Sequence, residues 1–211
     1  MLKILGIEVQ IDGQFSQKNY LIVSNHLSYL DVLILASQKP SCFVTSKEIE
    51  KTPFLGHICR LAGCLFVDRK NKKNLRGEIS ELREALASGL NVTVFPEATS
   101  TNGDEVLNFR RPLFESSIAT GKAILPLTIN YISISGKKIS LENRDKICWY
   151  GDMDFFPHFL NLLNERKVVV EIKVSEPIIP HLMNTIDLAL QSQKKVSQYF
   201  DSLNRPAMEA L

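Results

Sequence analysis

Short apolar runs alternate with amphipathic stretches along this chain, and the alternation constrains its fold more than any other feature. The runs are Tyr20–Val23, Cys42–Thr45, Leu65–Val67, Asn91–Phe95, Ile124–Asn130 and Val168–Val174. Each is of strand length and bounded by polar or turn-forming residues. Helical spacing appears between most of them, at Ser28–Gln38, Leu75–Ser88, Pro112–Thr120, Phe156–Leu163 and Thr185–Leu203. This order predicts an α/β fold, a twisted and largely parallel sheet with helices on both faces. The stretch Ile132–Trp149 reads as antiparallel, which predicts a mixed sheet. A chain of 211 residues, 45% of them hydrophobic, can build one substantial core, so 1–211 is expected to form a single domain. No internal repeat, low-complexity tract or linker interrupts it.

The first run gives out at Asn25-His26-Leu27-Ser28-Tyr29-Leu30-Asp31, which sets an imidazole five positions before a carboxylate. A helix advances about 100° per residue, so on one regular helix these side chains would diverge by about 140°. The spacing works if His26 sits in the turn after a strand and Asp31 lies in the first turns of a helix beginning near Ser28. Asn25 and Ser28 are suitable capping residues there. A carboxylate on one ring nitrogen fixes the tautomer and leaves the other nitrogen to take a proton from a substrate hydroxyl. Read alone, the pair is also compatible with a His and an Asp that merely cap a helix.

A second polar cluster follows another strand candidate: Val92-Thr-Val-Phe95 runs into Pro96-Glu97-Ala98-Thr99-Ser100-Thr101-Asn102-Gly103. A buried strand that ends in proline and turn-forming residues is how an α/β sheet presents a site at its carboxyl edge. The two motifs, NHLSYLD and FPEATS, together resemble the NHxxxxD and FPEG(T/S) blocks of the lysophospholipid acyltransferases, the 1-acylglycerol-3-phosphate type of glycerolipid acyltransferase. Further segments agree in order. Lys47, Pro53-Phe-Leu-Gly56 and Gly63-Cys-Leu-Phe-Val-Asp-Arg69 look like the second block, Phe109-Arg110 like an intervening segment, and Ala123-Ile-Leu-Pro126 like the fourth block. The resemblance spans roughly residues 5–180.

What the resemblance implies is a glycerol-3-phosphate acyltransferase-like domain that moves a fatty acyl chain from coenzyme A or acyl-carrier protein to a lysophospholipid hydroxyl, with 1-acylglycerol-3-phosphate as first acceptor. It implies His26 as general base, Asp31 as its orienter and Arg69 as ligand of the acceptor's anion, with Lys47 or Arg110 assisting. Glu97, Ala98, Thr99 and Ser100 would shape the glycerol end of the pocket, and Phe54 and Leu55 an acyl groove. Two positions depart from the family pattern. Ala98 stands where glycine is usual, which matters if the backbone there needs positive φ. Ser100 stands where arginine is frequent, and without that bidentate phosphate clamp a lyso-ornithine lipid becomes an alternative acceptor.

A thioester donor makes the absent groups intelligible. Its leaving thiolate is weakly basic, the parent thiol having a pKa of about 8.5, so one base acting on the acceptor suffices. No enzyme nucleophile, metal or resident cofactor is expected. The alternative from another class is a Ser-His-Asp hydrolase or thioesterase using Ser24 or Ser28, but both lie close in sequence to His26 and no GxSxG occurs.

A net charge of +2 argues against a nucleic-acid binder. Basic residues nevertheless cluster at Arg69, Lys70, Lys72, Lys73 and Arg76, a rim suited to an anionic membrane or an acidic carrier protein. The segment Thr45–Arg69, with Phe54, Leu55, Ile58, Leu61, Leu65 and Phe66 against Lys47, Lys51, His57 and Arg60, is a further candidate for interfacial contact. Four cysteines, Cys42, Cys59, Cys64 and Cys148, lack zinc-type spacing and read as reduced core thiols. No signal peptide and no apolar run long enough to span a bilayer is visible. The expected setting is peripheral, at the cytoplasmic face of a membrane.

Overall fold

In the computed structural model, which describes residues 2–51, 55–61, 63–67 and 75–203, eight strands and seven α-helices follow one another. The first half runs β1 (Ile7–Asp12), β2 (Leu21–Ser24), α1 (Leu30–Gln38), β3 (Cys42–Ser46), α2 (Lys47–Glu50), α3 (Leu55–Leu61), β4 (Leu65–Val67), α4 (Leu75–Ala87) and β5 (Val92–Val94). The second runs α5 (Glu115–Thr120), β6 (Ile124–Ile134), β7 (Lys137–Lys138), α6 (Phe155–Leu163), β8 (Val168–Val174) and α7 (Thr185–Gln198). Short 3-10 turns lie at Pro112–Phe114 and Arg144–Lys146.

The strands form one sheet in the order β1-β8-β6-β2-β5-β3-β4, with β7 on β6. From β6 to β4 every pairing is parallel. Every residue of β2 and of β5 is buried, as expected of parallel strands covered on both faces. Alternation along β2 separates two cores. Ile22 packs with Leu30, Ile34 and Leu162, whereas Leu21 and Val23 pack with Leu82, Leu86, Leu188 and Val196. Helices α1 and α6 therefore cover one face, and α4 and α7 the other. Cys64 and Cys148 are buried, Cys42 and Cys59 half-buried, and all four thiols are free.

The sheet is mixed, and its antiparallel part includes but extends beyond the stretch the sequence pointed to. Within Ile132–Trp149, Ser133 and Ile134 pair antiparallel with Lys138 and Lys137 on one side and with Val169 and Val168 of β8 on the other. The two-residue turn between Ile134 and Lys137 has Ser135 at φ 48° and Gly136 at φ 81°, the left-handed pair that a tight hairpin requires. The extensive antiparallel contact is β6 with β8, running from Leu127↔Val174 to Ile134↔Val168. Strand β1, absent from the sequence reading, pairs in parallel with β8 at the sheet edge. Its residues alternate apolar and polar from Ile7 to Asp12 instead of forming a continuous apolar run, and only Ile7 is buried.

Helix ends follow local chemistry. Asn184 caps α7 by accepting hydrogen bonds from the amides of Ile186 and Asp187 at 2.8 and 3.0 Å, and Gly121 closes α5 at φ 65°. The described helices include none long and apolar enough to cross a membrane.

The turn after β5 brings Ala98 to φ 61°, its amide donating to the Phe95 carbonyl at 3.0 Å. An L-residue held there costs on the order of 1–2 kcal/mol, a strain glycine escapes. Ala98→Gly is expected to stabilise the fold by about 0.5–1 kcal/mol after allowing for the greater freedom of an unfolded glycine. Urea unfolding measures this, and a loss of stability would show that the Ala98 methyl contributes more by packing than it costs in backbone strain.

Candidate active site

Strands β2, β3 and β5 all end at one edge of the parallel sheet, and the residues that follow them converge there: His26 after β2, Lys47 after β3 and Glu97 after β5. Asn25 does not cap α1. Its side chain donates to the Ile129 carbonyl at 2.9 Å and accepts from the Ile129 amide at 2.8 Å, so the turn is clipped to β6 in the sheet centre. Helix α1 begins at Leu30, without a side-chain cap from Tyr29. The amides ahead of it are taken by Asp31, which folds back on its own turn.

Asp31 is fully buried and accepts four hydrogen bonds. One oxygen takes His26 Nδ1 at 2.9 Å, the Leu27 amide at 2.7 Å and the Ser28 amide at 2.9 Å. The other takes the Tyr131 hydroxyl at 2.7 Å. An ionised carboxylate only accepts, so Nδ1 of His26 carries the proton and Nε2 presents its lone pair. Burial and the neighbouring Asp31 charge push the Tyr131 phenol well above its ordinary range, which keeps it a donor. The His26 ring retains 19% exposure and stacks on Phe95, centroids 4.0 Å apart and planes 13° from parallel.

Glu97 holds the same turn from the other side. Its oxygens accept the His26 amide at 2.8 Å and the Leu107 amide at 2.9 Å, and the residue is only 3% exposed. Burial raises its pKa to about 7, against the opposing effect of the two amides. The carboxylate thus braces the backbone, with both oxygens occupied. Two further backbone bonds complete the frame, Thr101 N–H to the His26 carbonyl and Trp149 N–H to the Leu27 carbonyl, both 2.9 Å.

The other expected site residues are distributed as follows. Lys47 is half-buried at the start of α2. Thr99 is exposed, its hydroxyl donating to the Ser100 carbonyl at 3.2 Å, and Ser100 is half-buried beside it. Arg110 is exposed, while its amide ties the segment to the Pro96 carbonyl at 2.9 Å. Arg69 and Phe54 lie outside the described residues, as do the side chain of Leu55 and the basic run Lys70, Lys72 and Lys73. Ser24 and Ser28 are fully buried; the first donates to Asn25 and the second accepts the Leu30 amide, so neither is presented as a nucleophile. Among the described residues no group of three or more His, Cys, Asp or Glu could hold a metal ion.

Two contributors were not read from the sequence. Tyr131 lies one hundred positions from Asp31 and gives no local signal beyond a phenol in an otherwise apolar strand. The other is the Tyr29–His158 contact, where the hydroxyl meets Nδ1 at 3.0 Å while Nε2 lies 3.2 Å from the Cys148 carbonyl. A carbonyl only accepts, so Nε2 carries the hydrogen and Nδ1 receives the Tyr29 proton. Burial lowers the His158 pKa, consistent with that neutral form.

Comparison with known proteins agrees with this architecture. Residues 6–130, more than half of the chain, match the Acyltransferase family. A lyso-ornithine lipid O-acyltransferase from Rhizobium meliloti is 30% identical over 183 residues, 83% of this chain and 63% of that protein. A 1-acyl-sn-glycerol-3-phosphate acyltransferase from Neisseria meningitidis is 31% identical over 168 residues, 80% of this chain and 64% of that one. The chain thus spans somewhat under two thirds of the length of these relatives. The crystal structure of the 1-acyl-sn-glycerophosphate acyltransferase PlsC from Thermotoga maritima superposes with a TM-score of 0.65 at 22% identity, covering 92% of this chain and 71% of that chain, and so shares the fold. By the extent of the family match, this chain belongs to the acyltransferase family.

Proposed function

We propose that the chain is an O-acyltransferase that moves a fatty acyl group from a thioester donor, coenzyme A or acyl-carrier protein, to the free hydroxyl of a lysophospholipid, at the cytoplasmic face of a membrane. The observation that carries this reading is the His26–Asp31 pair, whose hydrogen bonding reserves one ring nitrogen for a substrate. Nε2 of His26 takes the acceptor's hydroxyl proton as that oxygen attacks the thioester carbonyl. Collapse of the adduct breaks the C–S bond, and the proton passes from Nε2 to the departing sulfur. Asp31 stabilises the imidazolium between the two transfers. The step needs no cofactor, and the buried, bonded state of Ser24 and Ser28 disfavours the hydrolase alternative.

For the acceptor, 1-acylglycerol-3-phosphate is the first reading, with Arg69, Lys47 and Arg110 as candidate ligands of its phosphate and Thr99 and Ser100 near the glycerol. Phe54 and Leu55 are the candidates for the acyl groove. Ser100 favours a second reading, a lyso-ornithine lipid, because a serine lacks the two-point grip of arginine on phosphate. The name of the Rhizobium meliloti relative supports the same alternative. A screen of thioester donors against both lyso-acceptors, read by lipid mass spectrometry, separates the two.

Catalysis provides the direct test. His26→Ala is expected to lower kcat by about 10²–10⁴-fold with the fold intact, and Asp31→Asn to lower kcat strongly with little change in acceptor KM. Near-wild-type turnover of purified His26→Ala would refute the assignment. With an acyl thioester as sole substrate, intact-mass spectrometry should find no acyl group on the protein, whereas an acylated Ser24 or Ser28 would establish the hydrolase reading instead.

Glu97 gives a pH signature. Its folded pKa of about 7 lies above the ordinary carboxylate value of 4.5, so between those values the folded state binds the additional proton. Its stabilising contribution is therefore full below about pH 4.5 and lost as pH rises through about 7. Glu97→Gln should be destabilised overall, because one backbone amide loses its acceptor, and should lack this segment of the pH profile. Urea unfolding at pH 5 and pH 8 should show the wild type losing on the order of 1–3 kcal/mol more than the variant over that interval; parallel profiles would reject a perturbed Glu97.

A further inference from the structure

Helix α6, Phe155-Phe-Pro-His-Phe-Leu-Asn-Leu-Leu163, carries no Asp, Glu, Lys or Arg in its nine residues. Its inner face is accounted for: His158 and Leu162 are buried, and Phe155 and Phe159 meet the ring of Tyr29 edge-on at 5.0 and 6.3 Å. Its outer face is apolar as well. Phe156, Leu160 and Leu163 recur at the spacing of one helical stripe and are 58%, 53% and 50% exposed. A helix solvated on one side ordinarily places charges there, and a contiguous exposed apolar stripe marks a surface that meets something other than water.

The surroundings of that stripe specify the occupant. Glu165, just past the carboxyl end of α6, accepts a hydrogen bond from Ser135 in the β6–β7 turn and pairs with Lys146 at 2.7 Å. These contacts gather Lys137, Lys138, Lys146, Arg166 and Lys167 around the end of the helix. Glu165 pairs with Lys146 and also feels the charge of Lys137, and Glu8 pairs with Lys167; Lys137, Lys138 and Arg166 are exposed and form no direct ion pair among the described residues. Leu141, 43% exposed, lies in the loop between Lys138 and Lys146. Asp152 and Asp154 sit at the opposite, amino end, where they suit the helix dipole and leave the carboxyl end cationic. An apolar stripe with an unneutralised cationic rim is complementary to the boundary between anionic headgroups and acyl chains.

We propose that α6 is a membrane-docking helix that sinks Phe156, Leu160 and Leu163 into the interfacial layer of an anionic bilayer while Lys137, Lys138 and Arg166 meet its headgroups. The docked helix also reaches the candidate active site. Tyr29, three residues after His26, packs on the inner face of α6 and donates to His158, so the surface that enters the lipid is continuous with the turn that carries the base. This deepens the lysophospholipid reading by naming the face through which the enzyme approaches its acceptor.

Sedimentation with vesicles of mixed phosphatidylglycerol and phosphatidylcholine, without substrate, tests the proposal. Phe156→Ser combined with Leu160→Ser should weaken partitioning by roughly 30- to 100-fold. Lys137→Ala and Lys138→Ala should each weaken it by about fivefold at low salt, an effect that fades as salt is added. Leu190→Ser on α7, which removes a leucine of similar exposure, 58%, should leave it unchanged. His26→Ala should bind vesicles as the wild type does, so failure of the catalytic assignment leaves this result standing. The double serine variant should keep its turnover of a monomeric short-chain lyso-acceptor. Unchanged partitioning of that variant would overturn the proposal. Equal weakening by Leu190→Ser, or a wild-type dimer that the double variant converts to monomer without loss of vesicle binding, would do so too.

Discussion

The carboxylate of Asp31 is the point on which the site depends. It is wholly enclosed and accepts hydrogen bonds from an imidazole, two backbone amides and a phenol. Burying an isolated carboxylate is prohibitive, and four donors, two of them fixed by the turn itself, meet that cost locally. The five-residue spacing follows from this. The amides of Leu27 and Ser28 reach Asp31 only if the chain turns sharply before α1 begins, and that turn swings His26 onto the same oxygen. One short peptide thus supplies both the base and most of the dipoles that orient it.

The bonds within the turn fix its shape, and the sheet fixes its position. Asn25 is clipped to Ile129 of β6, Glu97 reaches across from the end of β5 to the His26 amide, and Phe95 lies flat against the ring. Motifs separated by about seventy residues therefore act as one unit because β2 and β5 are adjacent, parallel and in register, with Leu21 opposite Val92. Preorganisation of this kind keeps the reacting nitrogen in place without calling on substrate binding energy.

Much of this could be read from the residues. The apolar runs at Tyr20–Val23 and Val92–Phe95 marked buried parallel strands because such strands are covered on both faces, and each was followed by the polar cluster that forms the edge of the site. Tyr131 escaped notice because a lone phenol in a buried strand is equally consistent with core packing, and its partner is set by the pairing of β6 with β2. The resemblance points Glu97 toward the substrate, whereas the His26 and Leu107 amides that occupy its oxygens come together only in the folded chain. The antiparallel expectation near Ile132 holds for the short hairpin of β6 with β7, but the longer pairing of β6 with β8 is not legible there, because strand direction is decided by the partner and β8 lies far downstream. Ala98 is the converse case, where the family pattern alone raised the question of positive φ and the backbone answered it.

Strand β1 has a consequence for the order of assembly. Among the described residues its partner is β8, with Ile7 opposite Val168, so β1 waits for a segment far downstream before it can pair. Until then its amides and carbonyls are an open template for any other extended chain. The polar residues Glu8, Gln10 and Asp12 make it a poor nucleus for mispairing, since stacking it on a like strand would bring acidic side chains together. The polar side chains of β1 thus guard its open edge, and closing that edge of the sheet is left to a long-range pairing.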